Sequence, residues 1–192
     1  MGKIIFLGDS LTAALEVPYA TDRWTYRVGI HNGYAPDDII NKGVSGDTST
    51  KMLQRFAADV LAYSDVDVLV IMFPVNDRTN GLPLAQSKAN CLNMINQAEA
   101  AGIKVVLLSP NICTSGLAYF APWVALWDEI VGESGCYFID VWKAFTWLTY
   151  TSTDWFQRLY HDYAHTNKAG NAEIYYVTRL PQHDNARAFL KD

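Results

Sequence analysis

A serine, an aspartate and a histidine in this sequence have the types and the order needed for attack on a carbonyl group. Ser10 stands in the Gly-Asp-Ser-Leu segment at 8–11, and Asp162 precedes His165 by three residues. An imidazole can take the proton of a serine hydroxyl, and a nearby carboxylate fixes the imidazole's tautomer and stabilises its charged form. The order Ser, Asp, His occurs in α/β-hydrolases, but their Gly-x-Ser-x-Gly elbow is absent from this chain. These residues therefore indicate acyl hydrolysis by a different hydrolase family.

Two further polar segments follow apolar runs and add hydrogen-bond donors. The segment 41–49 contains Gly43 and Gly46, which can bring backbone N–H groups close to a ligand, and its Asp, Thr and Ser residues can cap the next helix. The segment 74–77 places the side-chain amide of Asn76 just after the next apolar run. Each segment alone is typical of a turn. Together with Ser10, they bring a serine, a glycine and an asparagine to the ends of three consecutive predicted strands.

The elements that must position these groups alternate between short apolar runs and longer amphipathic stretches. That alternation predicts βαβ units, and therefore a doubly wound α/β fold around a parallel sheet. The predicted strands are Lys3–Leu7, Ile39–Val44, Val66–Phe73, Ile103–Ser109 and Cys136–Val141. The predicted helices are Thr21–His31, Thr50–Ala62, Leu84–Ala101, Trp123–Val131 and Lys168–Leu180. Sheets of this kind bind ligands at the carboxyl ends of their strands, which is where the first three polar segments fall.

Composition and charge narrow the class of protein. The 192 residues are 50% hydrophobic and 18% charged, and the net charge is −5 without a basic cluster. Nucleic acid is therefore an unsuitable partner, since binding to its backbone needs a basic face. The three cysteines, at 91, 113 and 136, are too widely spaced for a metal or redox pair, so we expect free, buried thiols. We expect one domain over 1–192 that uses no cofactor and no metal.

The N-terminal segment has neither a secretory nor a membrane-spanning pattern. Its short apolar run at 4–7 leads directly into a charged turn. We therefore expect no membrane association and a cytoplasmic location by default. A domain of a larger secreted or virion protein would show the same pattern, and the oligomeric state leaves no signal in the sequence.

The four polar segments, in this order and at this spacing, resemble those of the SGNH hydrolases, also called GDSL esterases and lipases. The resemblance extends over nearly the whole chain, from 8–11 to 162–165. It implies a three-layer α/β/α fold of flavodoxin-like type, with a five-stranded parallel sheet in the order 2-1-3-4-5. It also implies hydrolysis of carboxylic esters through an acyl-enzyme.

The same resemblance assigns a role to each candidate site residue. It implies that Ser10 is the nucleophile, His165 the general base and Asp162 the acid that orients the imidazole. It further implies an oxyanion hole made by the backbone N–H groups of Ser10 and Gly46 and by the side-chain amide of Asn76.

Two residues depart from the family pattern. Pro74 stands where the third segment usually has glycine, and because proline fixes φ and lacks an N–H, the path that leads to Asn76 can differ. Thr166 follows the histidine where the family often has proline, and we expect no effect there, since a helix start tolerates this change. The direction of the Asn76 amide is therefore left open by the sequence.

Two other classes of function compete with the esterase interpretation. Residues 161–165 differ by one residue type from the His-Glu-x-x-His zinc signature, but no strong helix pattern precedes them and aspartate is shorter than glutamate. A non-catalytic carbohydrate-binding module is the second alternative, since 6 Trp and 11 Tyr residues offer stacking surfaces. The joint presence of Ser10, Asn76, Asp162 and His165 favours an enzyme, because a pure binding module has no need of them.

The substrate prediction comes from aromatic residues in the loops that follow the late strands. These residues are Tyr119, Phe120, Trp123, Phe145, Trp147, Tyr150, Trp155, Phe156 and Tyr160. Flat rings stack on sugars and equally line acyl channels, but polar residues lie between them and no segment is long enough to form a lid. We therefore predict a short-chain carbohydrate O-acetylesterase, acting on a small-molecule or polysaccharide ester held by rings from Ala144–Tyr160. The alternative is a thioesterase or lysophospholipase of the same family.

Overall fold

A five-stranded parallel sheet forms the centre of the protein, in a computed structural model that describes residues 2–73, 75–111, 121–145, 158–162 and 164–178. The strands are β1 Lys3–Gly8, β2 Ile39–Gly43, β3 Val66–Met72, β4 Lys104–Leu108 and β5 Tyr137–Ile139. Their order in the sheet is β2-β1-β3-β4-β5, and each neighbouring pair is parallel. The predicted α/β class and the predicted strand order are therefore confirmed.

Helices cover both faces of this sheet. They are α1 Ser10–Ala13, α2 Trp24–His31, α3 Ser49–Phe56, α4 Asn76–Thr79, α5 Leu84–Ala100, α6 Ala121–Ser134 and α7 Lys168–Thr178. On one face α2 packs against α7, and Phe6 of β1 contacts Trp24 of α2. Phe6 is in register with Val70, so Phe73 lies on the opposite face, where it contacts Trp127 of α6. On that face α5 packs against both α3 and α6.

The interior of the sheet is apolar, as the uninterrupted run in the third predicted strand indicates. Residues 68–73 are all buried, which is typical of a central strand covered on both faces. Among the described residues, no helix combines the length and the apolar character needed to cross a membrane.

Two predicted helices are each divided into two parts. The predicted helix Thr21–His31 consists of a 3₁₀ turn at Ala20–Asp22 followed by α2, because Arg23 between them has extended backbone (φ −70°, ψ 143°). The predicted helix Thr50–Ala62 consists of α3 followed by a π-helix at Ala57–Leu61. Hydrophobic spacing alone does not report such local changes of backbone geometry.

Two helices of a single turn, α1 and α4, are absent from the prediction. A helix this short shows no hydrophobic period, so the sequence pattern cannot reveal it. The predicted helix Lys168–Leu180 corresponds to α7 as far as Thr178, and its last residues lie outside the described part of the chain.

Three aromatic residues predicted to border the crevice belong to the core instead. Trp123 packs against Phe73, and Phe145 packs against Tyr160, in both cases edge to face. All three predicted rings are buried, because they complete the apolar layer beside the sheet. The remaining predicted rings lie outside the described residues: Tyr119, Phe120, Trp147, Tyr150, Trp155 and Phe156.

Glycines at the ends of β1 and β2 let α1 lie directly on the strand ends. A Cβ atom at Gly43 would meet the backbone nitrogen of Ala13, and one at Gly8 would meet the side chain of Thr12. Because Ser10 is the first residue of α1, this close packing fixes where its hydroxyl stands relative to the sheet.

Candidate active site

Ser10, His165 and Asp162 form one hydrogen-bonded series. His165 Nε2 lies 2.9 Å from Ser10 Oγ, and His165 Nδ1 lies 2.8 Å from Asp162 Oδ2. Ser10 is buried at 8% exposed and the imidazole is 22% exposed, so the series is partly open to solvent. The fold therefore brings together a serine and a histidine that are 155 positions apart in the chain.

The loop that carries Asp162 and His165 is closed by short-range hydrogen bonds. Tyr160 and Thr166 form an antiparallel bridge, and Asp162 Oδ1 accepts from the backbone N–H groups of His165 at 2.8 Å and Ala164 at 2.9 Å. Burial acts to raise the pKa of Asp162, but these hydrogen bonds and the imidazole outweigh it and lower the pKa to about 2. Asp162 is therefore ionised at neutral pH and can accept from Nδ1–H of the imidazole.

The same loop does not provide the helix that the zinc signature requires. The backbone N–H of His161 donates to the carbonyl of His165 at 2.7 Å, so the segment turns back on itself. Two histidines must share a helical face to bind zinc in that signature. Within the described part of the chain, no group of three or more His, Cys, Asp or Glu side chains is placed to hold a metal ion.

Thr166, expected to have no effect, takes part in the support of this loop. It is buried, and its Oγ1 accepts from Asn171 Nδ2 of α7 at 2.9 Å. The start of α7 is capped by Asn167, whose Oδ1 accepts from the N–H of Ala169 at 2.8 Å. The residue after the histidine thus links the loop to the helix, which the sequence pattern does not show.

The buried carboxyl of Asp9 joins the serine turn to the segment after β3. Its Oδ1 accepts from the backbone N–H of Leu11 at 2.9 Å, which caps the start of α1. Its Oδ2 accepts from the backbone N–H of Val75 and from Asn76 Nδ2, each at 3.1 Å. Asn76 Nδ2 also donates to the carbonyl of Asp47, again at 3.1 Å. One carboxyl and one amide therefore connect the ends of the first three strands.

Three hydrogen-bond donors lie on the segments that this arrangement connects: Asn76 Nδ2 and the backbone N–H groups of Ser10 and Gly46. Asn76 Nδ2 is bonded to Asp9 and Asp47, the immediate neighbours of Ser10 and Gly46. Within the described residues, the backbone N–H groups of Ser10 and Gly46 form no hydrogen bond. Gly46 has φ +79°, a left-handed conformation that glycine adopts without strain.

Pro74 lies outside the described residues, and the direction of Asn76 is given by the residues that follow Pro74. Val75 has helical backbone (φ −68°, ψ −22°) and Asn76 begins α4. The Asn76 amide points toward the ends of β1 and β2, since its partners are Asp9 and Asp47.

Arg55 of α3 forms hydrogen bonds with the end of β1 and with the turn after β2. Its guanidinium donates to the carbonyl of Gly8 at 3.0 Å and to the carboxylate of Asp47 at 2.7 Å. The guanidinium also forms an ion pair with Asp59 at 2.6 Å. Arg55 thereby holds the turn before Ser10 and the turn after Gly46 at a fixed separation.

Asp9 and Arg55 are site residues to which the sequence analysis assigned no role. The signal for Asp9 was present, because a carboxyl directly after a run of buried apolar residues must find several donors or become neutral. Burial raises the pKa of Asp9 to about 7, although hydrogen bonds from Leu11 and Val75 act in the opposite direction. The sequence carried no comparable signal for Arg55, whose partners are distant in the chain.

The hydrogen-bonded serine, histidine and aspartate lie at the carboxyl ends of the strands of a doubly wound sheet, an arrangement that can activate a serine hydroxyl. Residues 6–173 match the family model of the GDSL-like lipase/acylhydrolase family, and the chain belongs to that family. The predicted family is therefore confirmed.

The chain is also similar to an individual curated protein. Esterase TesA of Pseudomonas aeruginosa is 33% identical over 110 residues, which cover 55% of this chain and 52% of that protein. The chain thus matches about half the length of this curated relative.

Two solved structures share the fold. A protein described as lipolytic and of the G-D-S-L family, from Desulfitobacterium hafniense DCB-2, has a TM-score of 0.76 at 19% identity, over 93% of this chain and 98% of that chain. An acetylxylan esterase from Geobacillus stearothermophilus has a TM-score of 0.75 at 20% identity, over 92% of this chain and 91% of that chain. At such identities the similarity establishes the fold alone.

The raised pKa of Asp9 predicts a pH dependence of stability. The ordinary pKa of an aspartate is 3.8, and the pKa of Asp9 in the folded protein is about 7. At a pH between these two values, Asp9 is protonated in the folded protein and ionised in the unfolded chain. The folded state then binds more protons, so the free energy of unfolding falls as the pH rises through this window. From about pH 5 to about pH 7, we expect Asp9 to remove about 2 kcal/mol of stability.

Urea unfolding of the wild type and of Asp9→Asn at both pH values measures this effect. The amide introduced by Asp9→Asn does not titrate, so the wild type should lose about 2 kcal/mol more than the variant between the two pH values. Asp37→Asn, at an exposed position, is the control and should follow the wild type. Parallel pH curves for the wild type and Asp9→Asn would contradict the assignment.

Proposed function

We propose that this protein is a serine esterase with Ser10 as nucleophile, His165 as general base and Asp162 as the residue that orients the imidazole. The observation that supports this most strongly is the continuous series from Ser10 Oγ to His165 Nε2 at 2.9 Å and from His165 Nδ1 to Asp162 Oδ2 at 2.8 Å. Because the imidazole activates the hydroxyl, the proposed reaction needs no metal ion.

The proposed reaction has an acylation and a deacylation half. Ser10 Oγ attacks the ester carbonyl while its proton passes to His165 Nε2, and the imidazolium then protonates the leaving alcohol as the C–O bond breaks. Water next attacks the acyl-Ser10 carbonyl and gives its proton to Nε2, which returns a proton to Ser10 Oγ as the acid leaves. Asp162 accepts from Nδ1–H throughout and stabilises the imidazolium in both halves.

The proposed oxyanion hole consists of the backbone N–H groups of Ser10 and Gly46 and the side-chain amide of Asn76. The two backbone groups have no partner among the described residues and are available to a ligand. Asn76 donates to Asp9 and to the Asp47 carbonyl, and we propose that the second of these bonds is exchanged for, or shared with, the oxyanion. An oxyanion accepts a hydrogen bond more strongly than a neutral carbonyl, so the exchange becomes favourable as charge develops.

We also propose that the substrate is a short-chain, acetyl-type ester of a carbohydrate. An acetylxylan esterase of the same fold supports this proposal, as does the absence of any lid-length insertion in the sequence. Among the described residues, Tyr19 on the segment after α1 offers an aromatic side chain that is 70% exposed. The other proposed sugar-binding rings are Trp147, Tyr150, Trp155 and Phe156, in the part of the chain between the described ranges.

Ser10→Ala and His165→Ala should each lower kcat for p-nitrophenyl acetate by roughly 10³-fold or more, because nucleophile and base act as a unit. Their melting temperatures should stay close to that of the wild type, as measured by circular dichroism. Ser45→Ala, on the exposed loop before Gly46, is the matched control and should keep full activity. Prior treatment with EDTA should have no effect. Loss of activity with EDTA, together with an active Ser10→Ala variant, would establish metal chemistry instead.

The acyl preference is tested with p-nitrophenyl acetate, butyrate, octanoate and palmitate beside an acetylated oligosaccharide. We expect kcat/KM to fall as the chain lengthens and acetate to be released from the sugar. Trp155→Ala should raise KM for the sugar ester and leave p-nitrophenyl acetate hydrolysis unchanged, since stacking concerns the sugar alone. A rise in kcat/KM toward octanoate and palmitate, without acetate release from the sugar, would identify a thioesterase or lysophospholipase.

A further inference from the structure

A second carboxylate lies beside the imidazole of His165. Glu16 Oε1 is 3.9 Å from His165 Nδ1, the same nitrogen that lies 2.8 Å from Asp162 Oδ2. The Glu16 side chain is 21% exposed, so it lies partly within the protein against the site. The imidazole therefore has two acidic neighbours on its Nδ1 side, of which the sequence motif contains one.

The backbone after α1 turns sharply to bring Glu16 to this position. Ala14 ends the helix in a left-handed conformation (φ 49°, ψ 44°), which is unusual for a residue with a Cβ atom, and its N–H donates to the carbonyl of Ser10. The turn is held by a hydrogen bond from the N–H of Val17 to the carbonyl of Ala14 at 3.1 Å. Arg23 Nε donates to the carbonyl of Val17, also at 3.1 Å. Strained backbone of this kind persists where the surroundings determine it, and it is common at active sites.

The Glu16 carboxylate has no other cationic neighbour in the described residues, since His165 is the one Lys, Arg or His side chain within 4.0 Å of it. Asp162 differs in this respect, because its Oδ1 is occupied by two backbone N–H groups and its Oδ2 by the imidazole. A carboxylate left at the protein surface without a local reason is normally free to point into solvent. Here its Oε1 lies 3.9 Å from Nδ1 of the imidazole.

We propose that Glu16 is a second positioning residue for His165, which stabilises the imidazolium formed during catalysis and holds the Nδ1–H tautomer when the Asp162 contact is lost. The inference rests on the proposed roles of Ser10 and His165. When Ser10 gives its proton to Nε2, the imidazole gains a positive charge, and the attraction from both carboxylates increases at that moment. Before proton transfer the two carboxylates face a neutral ring and repel each other. Glu16 therefore acts selectively on the charged state, and its removal should lower kcat rather than raise KM.

The first test removes the negative charge of Glu16 and keeps the size and shape of its side chain. Glu16→Gln should lower kcat for p-nitrophenyl acetate by about 3- to 30-fold with KM unchanged, because a neutral amide cannot stabilise the imidazolium in the same way. Glu173→Gln in α7 is the matched control, since it makes the same change at a glutamate with no ion pair among the described residues. A kcat of Glu16→Gln within about twofold of the control overturns the stabilising role.

The second test measures whether Glu16 takes over from Asp162. With Asp162→Ala as the background, adding Glu16→Gln should lower kcat by a further ~10-fold or more, a larger factor than in the wild type, because Glu16 is then the remaining carboxylate at Nδ1. A further loss no larger than the factor measured for Glu16→Gln in the wild type overturns the takeover, and a larger factor supports it. Melting temperatures of all variants show whether they are folded, and if Asp162→Ala is unfolded, the same comparison is made with Asp162→Asn as the background. An active Ser10→Ala variant would instead show that the proposed function has failed, independently of Glu16.

Discussion

The buried carboxyl of Asp9 is the constraint on which the candidate site depends. A fully buried carboxyl needs several donors, and Asp9 obtains them from Leu11, Val75 and Asn76. Each of these donors belongs to a segment that must be correctly placed if the site is to exist. The requirement to satisfy one buried group therefore fixes the serine turn against the segment after β3, and through Asn76 it also fixes the turn after β2.

A second set of contacts connects the loop that carries Asp162 and His165 to the ends of the first three strands. Trp24 of α2 donates through its indole N–H to the carbonyl of Leu11 at 2.9 Å, and its backbone N–H donates to Asn171 Oδ1 of α7 at 3.2 Å. Asn171 in turn donates to Thr166, the residue after His165. One buried tryptophan thus joins the helix that carries the serine to the helix that follows the histidine. The Ser10–His165 distance is set by this packing as well as by their own hydrogen bond.

Much of this arrangement was predictable from the sequence, and the exceptions have physical reasons. The five strands were predicted because buried apolar runs between polar turns are a local signal, and Ser10, Asn76, Asp162 and His165 were found through their motifs. The Asp9–Asn76 hydrogen bond joins residues 67 positions apart, so no local pattern contains it. Trp123, Phe145 and Tyr160 were placed at the crevice although they are buried, because composition does not show which side of a loop a ring occupies. The position of Glu16 beside His165 depends on Ala14, which has a left-handed backbone conformation. This conformation is rare for alanine, so the sequence does not predict the contact.

The proposed function depends on Ser10 as the nucleophile and on His165 as the base that activates it. The most direct measurement is to treat the active protein with a fluorophosphonate ester, digest it and locate the adduct by mass spectrometry. We expect one phosphonylated residue, Ser10, and labelling slowed by roughly 10²-fold or more in His165→Ala, since the imidazole must take the serine proton. A fully inhibited enzyme whose adduct lies on another residue, or a wild type that hydrolyses esters without ever being labelled, would contradict it.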